Sequence, residues 1–235
     1  MDTNGNLYTF IYASVLVILV AGVLSFTAIT LQPIQEMNVK IEKMQDILAS
    51  VRIESSTEQA NDLFTKFVTK SFVVNSKGEE VEGVEAFDVN LKQEYKKELS
   101  ERMLPAYEAT LEDGSQKIII PLTGKGLWGP IWGYIALESD MNTIYGAVYD
   151  HKGETPGLGA DINKDWFQQP FTGKTIYENG EFVGITVYKG GAEAAGDTKH
   201  GVDAISGGTI TSKALEAMVL DCLSSYKTYF ENNKK

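Results

Sequence analysis

The chain has 235 residues, which suits one domain of ordinary size, or one domain plus a membrane anchor, and is long enough to bury a hydrophobic core. Its formal net charge of −11 argues against a nucleic-acid partner, because phosphate binding needs clustered Lys and Arg side chains. One cysteine excludes an intrachain disulfide, and the presence of only two histidines argues against a zinc or haem centre built by this chain alone. The 43% of hydrophobic and 23% of charged residues are typical of a folded protein.

The N-terminal region contains an uncharged run from Phe10 to Ile29. A helix rises about 1.5 Å per residue, so this run would span roughly 30 Å, the thickness of the hydrocarbon core of a bilayer. A signal peptide would have a basic start and a shorter apolar run, and a core helix in a soluble protein seldom needs one so long. The run predicts an uncleaved transmembrane helix, and we expect Pro33 to break or kink it where the chain leaves the bilayer.

Charge gives little information on which side of the membrane the main domain lies. Residues 1–30 contain no Lys or Arg, while Lys40 and Lys43 lie beyond the apolar run among acidic residues. Counted alone, these lysines weakly favour a cytoplasmic domain. The part of the chain past the anchor is strongly acidic, so anionic lipid headgroups should repel it from the membrane surface.

The remaining pattern predicts an α+β fold, in which an antiparallel sheet is flanked by helices. The predicted domain boundaries are 1–32 for the tail and anchor, 33–70 for a helical stalk and linker, and 71–235 for the α+β domain. Predicted helices cover 37–51, 58–68, 91–103 and 211–230, and predicted strands cover 116–122, 130–137 and 143–150. One hairpin is predicted at 71–81, and a second is predicted from a turn at 178–180 followed by the alternating run 181–189.

The glycine-rich segment 124–129 matches the G-x-G-x-x-G pattern of dinucleotide-binding loops. Such a loop must open a helix whose N-terminus holds the pyrophosphate, whereas Pro130 and a strand-like run follow here. The context argues against a dinucleotide site. Two interpretations remain: a loop that presents Leu127 and Trp128 as an apolar wall for a ligand, or a hairpin turn with core aromatic residues.

Two further segments have the composition of ligand-binding loops. Residues 151–159, HKGETPGLG, combine three glycines with a proline, which fixes an unusual backbone path; the alternative is an ordinary surface turn. Residues 203–212, DAISGGTITS, place two glycines and four hydroxyl residues before a predicted helix. Free N–H groups at a helix N-terminus favour phosphate, but Thr211 or Ser212 could equally cap the helix with no ligand.

Together these segments resemble those of a covalent FMN-binding family, the C subunits of sodium-translocating NADH:quinone oxidoreductases. SGGTITS (206–212) is similar to the flavinylation motif S-G-A-T, followed by x-T/S and preceded by Asp, with Gly208 where alanine is expected. We expect Gly208 to loosen the loop without blocking it. NLYT at 6–9 and LQPIQEMN at 31–38 extend the resemblance over nearly the whole chain.

The resemblance implies a subunit with a single transmembrane helix in the bacterial inner membrane, whose periplasmic domain carries FMN on a threonine hydroxyl. A flavin transferase would attach FMN from FAD, and the subunit would relay electrons from NADH towards a quinone such as ubiquinone, together with other subunits. It would not be catalytic in isolation, because nothing in the chain resembles an NADH site. The implied cofactor-binding residues are Thr209 (the attachment point), Asp203 and Ser206 (read by the transferase), Gly207, Gly208, Thr211, Leu127, Trp128, Glu154, Thr155, Gly157 and Leu158.

Two alternatives stay open at this point. The G subunit of the Rnf ferredoxin:NAD oxidoreductase shares the flavin threonine, although the NLYT start and the LQPIQ linker favour the sodium-pump family. The other alternative is a membrane-anchored binding or scaffold protein without flavin. A hydrolase is disfavoured, because no nucleophile, base and orienting group occur at a suitable spacing.

Overall fold

In the computed structural model, residues 5–234 are described, and they form the predicted α+β fold around a five-stranded antiparallel sheet. The N-terminal tail at 1–4 and Lys235 lie outside the described residues. The chain divides between Lys43 and Met44 into two compact units. The helices are α1 (Asn6–Ser50), α2 (Ala60–Phe67), α3 (Leu91–Glu94), α4 (Asp165–Gln168), α5 (Thr209–Ser225) and α6 (Lys227–Asn233). The strands are β1 (Val68–Val74), β2 (Leu104–Thr110), β3 (Gln116–Lys125), β4 (Pro130–Leu137), β5 (Ile144–His151), β6 (Tyr177–Glu178), β7 (Glu181–Phe182), β8 (Thr186–Tyr188) and β9 (Gly201–Asp203).

Helix α1 is long and apolar enough to cross a membrane, with a mean hydropathy of 2.4 over an 18-residue window. Its large apolar side chains, such as those of Phe10, Val17 and Leu24, are exposed. The predicted break at Pro33 is wrong, because α1 continues through this residue to Ser50. A proline removes one backbone N–H, and therefore one hydrogen bond, from a helix. The helix of 45 residues continues because the other backbone hydrogen bonds before and after Pro33 remain.

The sheet has the strand order β1-β2-β3-β4-β5, and alternate side chains of β3 enter hydrophobic clusters on its two faces. Ile120 and Leu122 belong to the cluster that contains the apolar face of α5, whereas Ile119 belongs to the cluster on the other face. A Cβ atom at Gly124 would lie 2.8 Å from Cβ of Met218, so glycine lets α5 approach the end of β3 closely. This packing holds the N-terminus of α5 near the β3–β4 turn.

The predictions for β3, β4, β5 and α2 are confirmed, but the charged helix predicted at 91–103 is wrong. The segment has one α-helical turn, α3, then folds back over the buried Glu94 and forms a short 3₁₀ turn at Leu99–Glu101. The Glu94 carboxylate accepts hydrogen bonds from the Lys97 ammonium at 2.7 Å and from the Met103 backbone N–H at 3.0 Å. With few apolar positions to hold a long helix in place, these local bonds determine the path.

The hairpin predicted around the turn at 178–180 is confirmed, because β6 and β7 pair across Asn179 and Gly180. The alternating run 181–189 is not one strand, however: it divides into β7 and β8, and β8 pairs in parallel with β9. The last predicted helix, 211–230, is two helices that meet at Tyr226, and α5 begins two residues earlier than predicted. Strand β9 leads into the loop before α5, so this parallel pair helps to place the 203–212 segment.

Candidate functional site

Three loops meet around the N-terminus of α5. The first, residues 126–129, is the turn between β3 and β4, which is closed by a 2.7 Å hydrogen bond from the Gly126 N–H to the Gly129 carbonyl. The second, residues 152–158, follows β5, and the third, residues 204–208, joins β9 to α5. The structure therefore brings together the three segments that the sequence singled out, although they are far apart along the chain.

The buried side chain of Glu154 connects these loops. One carboxylate oxygen, Oε1, accepts the backbone N–H of Trp128 at 2.8 Å, and the other, Oε2, accepts the Thr211 hydroxyl at 2.6 Å. Glu154 and Thr211 are 4% and 2% exposed. A single carboxylate thus joins the second loop to the first loop and to the first turn of α5.

Two glycines leave the space that this carboxylate occupies. A Cβ atom at Gly126 would lie 2.5 Å from Oε1 of Glu154. A Cβ atom at Gly159 would overlap the Thr211 hydroxyl and lie 2.7 Å from Oε2 of Glu154. Neither glycine has a positive φ, so backbone conformation does not require glycine here. Glycine is required because the Glu154 carboxylate lies so close to the backbone at both positions.

The loop before α5 is held by Ser212 rather than by a capping threonine. The fully buried Ser212 hydroxyl accepts the Ile205 N–H at 3.1 Å and donates to the Gly208 carbonyl at 2.9 Å. The predicted cap by Thr211 is wrong: Gly208 is the N-cap residue, and no side-chain atom within residues 5–234 caps α5. Because α5 starts at Thr209, Thr211 lies inside its first turn and points to Glu154.

The surface of the three loops is apolar, although the chain as a whole is acidic. Leu127, Trp128, Leu158 and Ile210 are 46%, 70%, 40% and 62% exposed. The interpretation of segment 124–129 as a turn with core aromatic residues is therefore wrong for Trp128. Apolar side chains exposed at one place on a folded protein usually mark a binding surface.

The predicted site residues differ in what they contact. Thr209 is half-buried at the first position of α5, while Ser206, Thr155 and Gly157 are exposed. Asp203 accepts the Ala192 N–H at 2.7 Å, so its carboxylate also supports the neighbouring 189–192 loop. Sequence reasoning missed three residues of this region, Ser212 as an anchor of the loop and Gly126 and Gly159 as the space around Glu154.

Known protein families and related proteins match this chain in the region that contains the three loops. Residues 126–224 match the FMN-binding domain family, and this range begins at the first loop and includes all three. The C subunit of the Na⁺-translocating NADH-quinone reductase from Vibrio anguillarum is 30% identical over 209 residues, covering 83% of this chain and 81% of that protein. The chain belongs to the family of C subunits of Na⁺-translocating NADH-quinone reductases.

Other members of this family support the same assignment. The Haemophilus ducreyi protein is 29% identical over 226 residues, covering 90% of this chain and 84% of its own length. The crystal structure of the C subunit from Parabacteroides distasonis has a TM-score of 0.78 and 42% identity, and the match covers 85% of this chain and 96% of that one. The choice between this family and the Rnf G subunits, which the sequence had left open, is settled in favour of the sodium-pump family.

The two glycines before Thr209 should respond differently to substitution. Gly207 has φ +76°, and a Cβ atom there would lie 2.7 Å from Cδ2 of Leu158. Gly208 has φ −103°, and its Cβ would lie 3.0 to 3.1 Å from Ile205 and from the Leu158 backbone, so a shift of a few tenths of an ångström suffices. We expect Gly207→Ala to lower the free energy of unfolding by about 1–2 kcal/mol, and Gly208→Ala to lower it less.

Urea denaturation of the purified, detergent-solubilised protein measures this difference. Gly153→Ala is the matched control, since no other heavy atom of the described residues lies within 4 Å of its Cβ position and its φ is not positive. An equal or larger loss of stability in Gly208→Ala than in Gly207→Ala would contradict the described loop geometry.

Proposed function

We propose that this chain is a membrane-anchored electron-carrier subunit of a sodium-translocating NADH:quinone reductase, with FMN bound covalently at Thr209. The observation that carries the proposal is the arrangement of three loops that places the Thr209 hydroxyl at an uncapped helix N-terminus beside exposed apolar side chains. The match of residues 126–224 to FMN-binding domains supports FMN as the group that this site takes.

The residues present fit an FMN phosphate. The first turn of a helix offers backbone N–H groups and a partial positive charge, which favour an anion. Gly207 and Gly208 keep the loop before this turn free of side chains, and Cδ2 of Leu158 lies 2.7 Å from the place that a Cβ atom on Gly207 would occupy. The Gly208 N–H already donates to the Ile205 carbonyl, so the phosphate end of FMN would be held by the backbone N–H groups in the first turn of α5.

The apolar side chains of Leu127, Trp128 and Leu158 fit the ring of the flavin. FMN supplies the one- and two-electron transfer chemistry, and the protein supplies position and electrostatics. An apolar surrounding disfavours negative charge, so these side chains would make a charged reduced flavin less stable. The residues of this chain would thus tune the reduction potential of the cofactor.

The burial of two neighbouring hydroxyls argues against them as the attachment point, and the resemblance of 206–212 to the flavinylation motif favours Thr209 over the exposed Ser206. Thr211 and Ser212 are buried and already hydrogen-bonded, to Glu154 and within the loop, whereas Thr209 is half-buried with its side chain at the start of α5. In the proposed reaction the Thr209 oxygen forms a bond to the FMN phosphorus of FAD while the hydroxyl loses its proton. The pyrophosphate bond of FAD breaks and AMP leaves, and a flavin transferase that recognises Asp203 and Ser206 catalyses the exchange.

The anchor and the partners follow from the family and from α1. Helix α1 would hold the subunit in the bacterial inner membrane, with the flavin domain on the periplasmic side. The strongly acidic composition supports a domain that stands away from anionic headgroups. Electrons from NADH would reach this subunit through other subunits of the complex and pass on towards quinone.

Replacement of Thr209 tests the covalent assignment. Thr209→Ala should abolish covalent FMN and leave the fold intact, because it removes one half-buried side chain that is not part of the core. Thr209→Ser should retain some FMN, since the hydroxyl survives. In-gel flavin fluorescence and peptide mass mapping, with the transferase coexpressed, measure the outcome.

Thr198→Ala is the matched control for Thr209→Ala, since it removes an exposed threonine hydroxyl that lies outside the three loops. A mass shift of FMN on Ser206 or Thr211 of the natural sequence would defeat the assignment. So would covalent FMN that persists in Thr209→Ala.

A surface cysteine tests the periplasmic orientation. Lys92 is exposed, so Lys92→Cys should react with a membrane-impermeant maleimide in intact cells. The natural Cys222 serves as an internal control, because burial between α5 and β3 raises the pKa of its thiol to about 11 and keeps it unreactive at neutral pH. Labelling of Lys92→Cys only after lysis would place the domain in the cytoplasm.

A further inference from the structure

We propose that Glu154 and Thr211 are positioning residues that set the geometry of the flavin site without contacting the cofactor. We use the term clamp for three groups: the Glu154 carboxylate, the Thr211 hydroxyl and the Trp128 N–H. The proposal rests on the function proposed above and deepens it. In this view the clamp fixes the distance between the apolar side chains of the ring site and Thr209, the attachment residue.

The clamp groups are turned towards one another and away from solvent. Both carboxylate oxygens of Glu154 are engaged, at 2.8 Å by the Trp128 N–H and at 2.6 Å by the Thr211 hydroxyl. Both side chains are almost completely buried, so water does not compete for these hydrogen bonds. Each of these polar groups therefore has a partner within the protein and is shielded from solvent.

The space around the clamp is filled as well. Gly126 lies against Oε1 of Glu154, and Gly159 lies against both Oε2 and the Thr211 hydroxyl, so closely that no Cβ atom fits at either position. These two sides of the clamp are therefore closed to a cofactor. FMN would make its contacts on the outer side of the loops, where Trp128 and Leu158 are exposed.

The clamp joins the two parts that must lie at a fixed separation. The side chain of Trp128 forms one wall of the proposed ring site, and the backbone N–H of the same residue is bonded to Glu154. Thr209 lies two residues before Thr211 in the same helical turn. Loss of the clamp would release the first loop from α5, while the 204–208 loop would keep its own anchor through Ser212. The expected defect is thus in the seating of the ring and not in its attachment.

Two pairs of variants of the full-length flavinylated protein test the proposal. Glu154→Leu and Thr211→Val remove the hydrogen bonds with little change in volume. Glu154→Gln and Thr211→Ser are the conservative counterparts: the glutamine amide can accept from Trp128 and donate to the Thr211 hydroxyl, which accepts as well as donates. We expect Glu154→Leu and Thr211→Val to keep covalent FMN by mass, to lose most of its visible circular dichroism and to shift its midpoint potential. The conservative variants should retain both properties.

The glycines supply an independent perturbation of the same clamp. Gly126→Ala should reproduce the spectrum of Glu154→Leu, because its Cβ would displace the carboxylate. Gly153→Ala, next to Glu154 but with open space around it, should not. The double variant Glu154→Leu/Thr211→Val should be no worse than Glu154→Leu alone, since that substitution already removes both hydrogen bonds of the clamp.

The outcomes separate this proposal from the function on which it rests. Flavin absent from the natural protein would overturn the proposed function. Flavin present in the natural protein, with unchanged circular dichroism and potential in Glu154→Leu and Thr211→Val, would overturn the clamp alone. Equal defects in Glu154→Gln and Glu154→Leu would also overturn it, because charge and not the two hydrogen bonds would then be responsible.

Discussion

A single buried carboxylate holds the candidate site together. Glu154 bonds to the backbone of the β3–β4 turn through one oxygen and to the first turn of α5 through the other, and its own loop follows β5. Hydrogen bonds to a charged group in a site closed to water are stronger than those at the surface, and a missing partner leaves the charge uncompensated. The separation of the three loops therefore depends on the presence of all three groups.

The surrounding fold makes this contact possible. Close packing of α5 on β3, which Gly124 permits at Met218, brings the helix N-terminus to the end of the sheet where the β3–β4 turn lies. Ser212 then fixes the preceding loop to α5 itself. The result is a frame that leaves the apolar side chains of Leu127, Trp128 and Leu158 exposed on its surface.

The sequence was most informative where a local pattern determines the structure. Runs of β-branched and aromatic residues predicted β3, β4 and β5, and glycine-rich composition singled out the three loops. Local patterns failed where distant contacts decide the outcome. The path after α3 depends on the burial of Glu94, and the role of Thr211 depends on a carboxylate 57 residues earlier in the chain. Nor could the pattern show whether Trp128 faces the core or the solvent.

A crystal structure of the flavinylated protein, at a resolution that defines the phosphate, would test the attachment at Thr209 and the clamp together. We predict continuous electron density from Oγ1 of Thr209 to the phosphate, and a flavin ring against Leu127, Trp128 and Leu158. We also predict that Glu154 keeps its bonds to the Trp128 N–H and the Thr211 hydroxyl. Density for FMN on another hydroxyl, or a ring that contacts the Glu154 carboxylate, would contradict both assignments.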